Sequence, residues 1–223
     1  AKRTILIVGK GITFDSGGIS LKPSKGMEEM KYDKCGAITT MGIMRTIAEM
    51  EPEINVIGIM PLCENMPSGN ATRPGDVITA YNGKTIEILN TDAEGRMVLA
   101  DALAYGIEKF KPDYVFDLAT LTGAVTIALG SYYIAILGNN QEFINLVNEC
   151  SKNSFDKVWQ LPLSEEYNEM MKSKFADLKN SSETGEAGTI TAAAFLSNFV
   201  GNTDWIHLDI AGTAYTKGKA PIN

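Results

Sequence analysis

A chain of 223 residues with 44% hydrophobic and 21% charged residues has the composition of an ordinary globular domain and is long enough for one continuous core. No apolar run reaches the roughly 18 residues needed to cross a bilayer, so a membrane span is not expected. Net charge is −7 with no stripe of Lys and Arg, which makes nucleic acid and anionic membranes poor partners and cations good ones.

The three cysteines, Cys35, Cys63 and Cys150, are odd in number and widely spaced. They form neither a disulfide framework nor a zinc knuckle, and free thiols point to a reducing compartment, hence the cytoplasm. No basic segment followed by an apolar stretch and a small-residue cleavage site opens the chain. It enters a strand almost at once after Ala1, as the middle of a longer protein would.

Thr4–Val8 reads as a buried strand that runs into a glycine-rich loop, Gly9-Lys10-Gly11, continuing to Asp15-Ser16-Gly17-Gly18. The spacing of Ala37, Met41, Met44 and Ala48 predicts a helix over Asp33–Met50 with that face inward. Ile54–Met60 is a second buried strand, closed by the loop Cys63–Gly75. Val77–Tyr81 and Thr85–Leu89 flank Asn82-Gly83, a strong hairpin signal. A helix is expected from about Arg96 to Phe110, with Leu99, Leu103 and Ile107 in line. Tyr114–Leu118, Tyr133–Leu137 and Trp205–Ile210 read as strands, Phe143–Cys150 and Thr191–Val200 as helices. Strands alternating with helices imply an α/β fold: a central, mainly parallel or mixed sheet covered by helices on both faces. Sites in such sheets lie where loops leave the carboxyl ends of strands, and the polar motifs here follow predicted strands. No linker or repeat divides residues 1–223.

The chain has one histidine, His207, inside the apolar stretch Trp205–Ile210. No G-x-S-x-G elbow precedes a helix, and an H-E-x-x-H zinc site is impossible. His207 reads as a packed or hydrogen-bonded core residue. Hydrolytic chemistry would have to run on carboxylates, Lys, Arg and metal.

Asn90-Thr91-Asp92-Ala93-Glu94-Gly95-Arg96 places two carboxylates and a guanidinium at alternate positions between a strand and a helix. On extended backbone Asp92 and Glu94 point the same way and can share a cation. Helix capping explains the same residues, with Asp92 as the N-cap and Glu94 in the first turn, and taken alone it is the commoner explanation. The second constellation runs from Lys10 to Gly18, with Lys22 and Asp33 beyond it. Gly and Lys suggest a phosphate loop, but the G-x-x-x-x-G-K-[ST] order is absent and Asp15 would repel phosphate.

The segment Asn90–Arg96 resembles the hallmark of the leucyl aminopeptidases, the cytosol aminopeptidase family. Gly9-Lys10-Gly11-Ile12-Thr13-Phe14-Asp15-Ser16-Gly17-Gly18 is similar to the same family, as are Cys63-Glu64-Asn65-Met66-Pro67-Ser68 and Ala119-Thr120-Leu121-Thr122-Gly123-Ala124. Thr191-Ala192-Ala193-Ala194-Phe195-Leu196 and His207-Leu208-Asp209-Ile210-Ala211-Gly212 complete the set, in order along the chain. Their joint occurrence outweighs capping for Asp92 and Glu94. Two departures stand out. The family's N-terminal domain and the segment following Ile222 are expected to lie outside this sequence. Asp33-Lys34-Cys35-Gly36 replaces the usual Asp-Met-(Gly/Ser)-Gly, so packing beside the site is expected to differ.

The resemblance implies that Lys10, Asp15, Asp33, Asp92 and Glu94 bind two divalent ions, with Asp15 and Glu94 bridging, Lys10 and Asp33 completing one ion, and Asp92 the other. Four carboxylates and a neutral lysine amine suit zinc or manganese. It implies a water held between the ions as nucleophile, Lys22 as the oxyanion-stabilising cation, and Arg96 as the holder of a bicarbonate that shuttles the proton. It places Met30, Thr120, Gly123, Ala211 and Ala214 around an apolar side-chain pocket. The implied substrates are peptides with a free N-terminus, Leu- or Met-like preferred, and the implied assembly is a homohexamer. Two rivals remain: a catalytically idle relative serving in assembly or DNA binding, and another two-metal hydrolase such as a phosphoesterase.

Overall fold

A computed structural model describes residues 3–214. Ile222, where the family resemblance ends, lies outside them. The chain runs β1 (Thr4–Gly9), β2 (Gly11–Asp15), a short 3-10 helix (Met27–Tyr32), α1 (Cys35–Met50), β3 (Asn55–Ile59), β4 (Leu62–Asn65), β5 (Val77–Thr79) and β6 (Thr85–Glu87). It continues with α2 (Gly95–Phe110), β7 (Tyr114–Ala119), α3 (Gly123–Leu129), β8 (Ile134–Gly138), α4 (Gln141–Lys152), β9 (Val158–Gln160), α5 (Glu165–Glu169), β10 (Leu178–Lys179), α6 (Gly188–Ser197) and β11 (Asp204–Asp209).

The central sheet has six strands in the order β3-β1-β7-β11-β8-β9. β3, β1, β7 and β11 run parallel, whereas β8 is antiparallel to β11, so the sheet is mixed and mostly parallel, as the alternation of elements predicts. Alternation along β11 shows both faces covered. Trp205 packs with Leu6, Val8 and Val115 against Leu99 and Leu103 of α2 and Phe195 of α6. Ile206 faces the other way, with Ile136, against Phe143 and Ile144 of α4. Burying apolar strands on two sides is what makes a parallel sheet stable. Among the described residues no helix is long and apolar enough to cross a membrane.

Three local expectations need correction. Helix α1 begins at Cys35, because Asp33 ends the preceding 3-10 turn. Its inward face is Gly36, Ala37 and Thr40, while Met41 is 54% exposed and Ala48 is also exposed. The helix lies so close to the sheet that a Cβ at Gly36 would overlap the Leu118 carbonyl. Small residues therefore make the contact, and the larger apolar ones sit beside it. Second, the stretch after Lys10, expected as a loop, is a strand: β2 pairs in parallel with β4, formed by the start of the expected loop Cys63–Gly75. Its register shifts between Ile12 and Asp15, a bulge of the kind that re-aims a side chain. Third, β5 and β6 form the expected hairpin, but it turns through Ala80–Lys84, with only Gly83 at positive φ.

His207 is a core residue, as its apolar surroundings predict. It lies opposite Asp117 in the β7–β11 register, and its Nδ1 is 2.6 Å from Asp117 Oδ1. Trp205 Nε1 donates to the other Asp117 oxygen at 2.7 Å, and all three side chains are fully buried. Burial opposes the imidazolium, but Asp117 outweighs it and His207 titrates above its usual value. A group raised on folding adds stability below its unfolded pKa and loses it as pH rises through the folded one. Asp117→Ala is therefore expected to cost roughly 3–5 kcal/mol, since it strands a buried partner. Denaturant melts should show the penalty shrinking toward alkaline pH; a constant penalty would mean that the pair carries no charge.

Candidate metal centre

The polar groups converge where β1, β7 and β11 end. Lys10 follows β1, Thr120 follows β7 and Ala211 lies just beyond β11, all at carboxyl ends of parallel strands. They line a cleft of about 450 Å³ together with Asp15, Lys22, Met30, Asp33, Asp92, Arg96 and Gly123. Ala214 does not line it; its N–H closes a turn onto the Ile210 carbonyl.

Lys10 is 3% exposed and its ammonium has three acceptors: Asp33 Oδ1 at 2.8 Å, the Thr120 carbonyl at 2.9 Å and Glu94 Oε1 at 3.0 Å. Three donors meet three acceptors. Gly95 makes this possible, because a Cβ there would overlap Lys10 Cε. Burial opposes the charge on Lys10, but Glu94 and Asp33 prevail and hold it above its ordinary value. The neutral amine expected of a ligand therefore requires cations beside it.

Asp33 also accepts from Thr120 Oγ1 at 2.7 Å. Burial, reinforced by the nearby Glu94 carboxylate, pushes Asp33 upward against the pull of Lys10. Asp15 is aimed by Gly17 N–H and Asn65 Nδ2, each donating to Oδ1 at 2.9 Å, which leaves Oδ2 for Lys22 at 2.8 Å. Gly17 and Gly18, with φ of 88° and 65°, turn the chain back so that Lys22 returns to Asp15. Lys22 Nζ is also 2.6 Å from Asp92 Oδ1. Burial disfavours its charge, yet the two carboxylates more than compensate and its pKa is raised. Asp92 is shifted upward by burial and by Asp15 and Glu94, in opposition to Lys22.

Neither acidic residue of the Asn90–Arg96 segment gives α2 a side-chain capping bond. The N-cap is Glu94, itself in helical conformation and without a side-chain capping bond. The segment is not extended either: a turn closes from Ala93 N–H to the Asn90 carbonyl. Asp92 consequently faces Lys22 and Glu94 faces Lys10, so the two carboxylates serve opposite sides of one cluster. Asp15, Asp33 and Glu94 bring carboxylate oxygens within 4.8 Å of one another, an arrangement able to hold a metal ion. Asp33 Oδ2 and Glu94 Oε2 are buried without a hydrogen-bond partner. Two orphaned acceptors in a crowd of like charge fit a cation between them.

Arg96 is buried, and burial lowers its guanidinium to about 10 in spite of Glu94 and Asp209. Its Nη1 donates to the Asn180 carbonyl at 2.9 Å, and its Nε has no partner. Further residues shape the cleft without having been singled out by sequence. Asn65 donates from Nδ2 to both Asp15 and the Thr91 carbonyl at 2.9 Å. Buried Asp209 accepts from Leu121 and Ala211 N–H groups at 3.2 Å and from Thr122 Oγ1 at 2.6 Å, fixing two loops of the rim. Asn65 and Asp209 lie inside the quoted motifs, which was the available signal; Asn180 lies in none.

The fold and cleft define an α/β domain with a carboxylate-rich cleft at the strand ends. The chain belongs to the cytosol aminopeptidase family, whose catalytic domain it matches over residues 1–222. It is 55% identical over 217 residues to a probable cytosol aminopeptidase of Vesicomyosocius okutanii, covering 97% of this chain and 45% of that protein. It is 56% identical to one of Azotobacter vinelandii, covering 97% of this chain and 43% of the relative. With one of Cenarchaeum symbiosum it shares 50% identity over all of this chain and 46% of the relative. The chain thus spans less than half the length of these curated relatives.

Proposed function

We propose that this chain is the catalytic domain of a metal-dependent aminopeptidase that releases Leu- or Met-like residues from free peptide N-termini. The carrying observation is the close grouping of Asp15, Asp33 and Glu94 beside Lys10, with two carboxylate oxygens buried and unpartnered. Lys10, Asp15, Asp33, Asp92 and Glu94 would hold two divalent ions, zinc or manganese. Such ions polarise a carbonyl and acidify water when bound.

The chain's own groups account for the remaining requirements. A free, neutral α-amine can serve as a donor to a metal held by these residues and a blocked one cannot, which would restrict cleavage to the first residue. Lys22 lines the cleft, and its ammonium would stabilise negative charge on the carbonyl oxygen under attack. No histidine reaches the cleft, because the chain's single one, His207, is fully buried against Asp117. Arg96, with its head anchored on Asn180 and Nε free, suits a bicarbonate held in bidentate fashion as the proton carrier. Met30, Thr120, Gly123 and Ala211 would form the side-chain pocket. Assembly as a homohexamer in the cytoplasm belongs to the same proposal.

The test is hydrolysis of leucine-p-nitroanilide, its N-acetyl derivative and p-nitrophenyl phosphate with added Mn²⁺ or Zn²⁺. A site built around a polar substrate group rejects the analogue lacking it by about 10⁴-fold. The free amine substrate should be cleaved and the blocked one resist to about that degree. Comparable turnover of both would remove the exopeptidase reading. Phosphate release in place of amide cleavage would make this a phosphoesterase, and no turnover of any substrate would favour an idle relative.

A further inference from the structure

We infer that Asn180 is a positioning residue for the proposed metal centre: its side chain fixes the arch delivering Asp92 and Glu94, and its carbonyl fixes Arg96. The inference rests on the metal-dependent reading above and extends it to a residue outside every motif.

β10 has only two residues, paired in parallel with β6. Asn180 N–H prolongs that ladder by one bond, to the Glu87 carbonyl at 2.9 Å. There the chain after β6 leaves the sheet, and the main-chain groups of 89–93 lose their strand partners. The Asn180 side chain supplies replacements. Its Oδ1 accepts from Leu89 N–H at 2.8 Å and Asn90 N–H at 3.2 Å. Its Nδ2 donates to the Asn90 carbonyl at 2.7 Å and the Ala93 carbonyl at 3.5 Å. A carboxamide has two donors and two acceptor lone pairs, and all four are used. The residue is 1% exposed, so water cannot substitute. Aspartate cannot donate, and glutamine would push the amide a methylene too far.

The same residue's carbonyl accepts from Arg96 Nη1. One position thereby sets the arch on one side and the guanidinium on the other. Asn65 also grips the arch, donating to the Thr91 carbonyl, so two amides hold the segment that carries Asp92 and Glu94. Ligands must sit within about 0.5 Å of a productive geometry, and supporting residues of this kind are worth roughly 10–100-fold in metal affinity.

A buried asparagine serving stability alone would affect melting and nothing else, and calorimetric titration with Mn²⁺ alone separates the two roles. Asn180→Ala and the isosteric Asn180→Asp are compared with the unaltered chain and with Asn139→Ala. Asn139 grips the main chain in the same manner away from the cleft, accepting from Trp205 N–H and donating to the Thr203 carbonyl, both at 2.8 Å. Both Asn180 variants should bind Mn²⁺ about 10–100-fold more weakly, while Asn139→Ala loses thermal stability but keeps its affinity. Should Asn180→Ala fail to fold, Asn180→Asp carries the comparison, since it keeps both accepted bonds. Unchanged affinity in a folded Asn180 variant, or an equal loss in Asn139→Ala, overturns the inference alone. Absence of Mn²⁺ binding by the unaltered chain brings down the metal reading and this inference together.

Discussion

Replacing Glu94 with alanine is expected to remove metal binding and peptide cleavage together while leaving the fold intact. Glu94 Oε1 meets Lys10 at 3.0 Å, and its Oε2 is buried without a partner. It makes no side-chain capping bond to α2, so the helix loses no cap when it is removed. Lys10 keeps Asp33 and the Thr120 carbonyl as acceptors. Removing one carboxylate also relieves the crowding that lifts Asp33. Lys10, however, loses the largest of its compensating charges, so the metal-free variant should fold but melt below the metal-free unaltered protein. Ligand binding stabilises by about 2.7 kcal/mol at a metal concentration 100 times Kd. The unaltered chain should show that gain with Mn²⁺ or Zn²⁺, and Glu94→Ala should show none. Metal catalysis contributes several kcal/mol, so activity should fall on the order of 10³-fold or more. Normal metal content in the variant would remove Glu94 from the ligand set.

Arg96→Ala should keep both metals yet lose activity by roughly 10²–10⁴-fold, the range of one proton-transfer contribution. Arg96 donates to the Asn180 carbonyl rather than to any carboxylate of the cluster, so the ligands stay in place without it. The stranded buried carbonyl should lower stability by about 1–3 kcal/mol, visible in denaturant melts. Bicarbonate added to carbonate-free buffer should raise the rate of the unaltered protein and leave Arg96→Ala nearly unmoved. Arg96→Lys should recover part of the rate, because a point charge cannot reproduce the guanidinium fork. Equal bicarbonate responses in protein and variant would refute the shuttle, and loss of metal would make Arg96 structural.

The sequence by itself determined the fold class, the family and several of the residues that meet in the cleft, Lys10, Asp15, Asp33 and Asp92 among them, but not Ala214, which lies outside it. Apolar strands alternating with helices have few stable arrangements, and a run such as Asn90–Arg96 keeps its chemistry wherever the chain carries it. The buried role of His207 was legible for the same reason, since an apolar strand around a lone imidazole leaves it little access to solvent.

The tertiary structure alone decided how the parts meet. The inward face of α1 depended on how closely the helix approaches Leu118, a distance that no helical periodicity encodes. The strand β2 was hidden by the glycines around it until β4 offered a partner. Asp92 and Glu94 were expected to point together along extended backbone, but a turn sends them to Lys22 and Lys10 respectively. Asn180, 84 residues from Arg96 in sequence, carries no motif because its role is to satisfy main-chain groups. Those groups are the same in every residue, so only the folded path of the chain reveals which side chain must answer them.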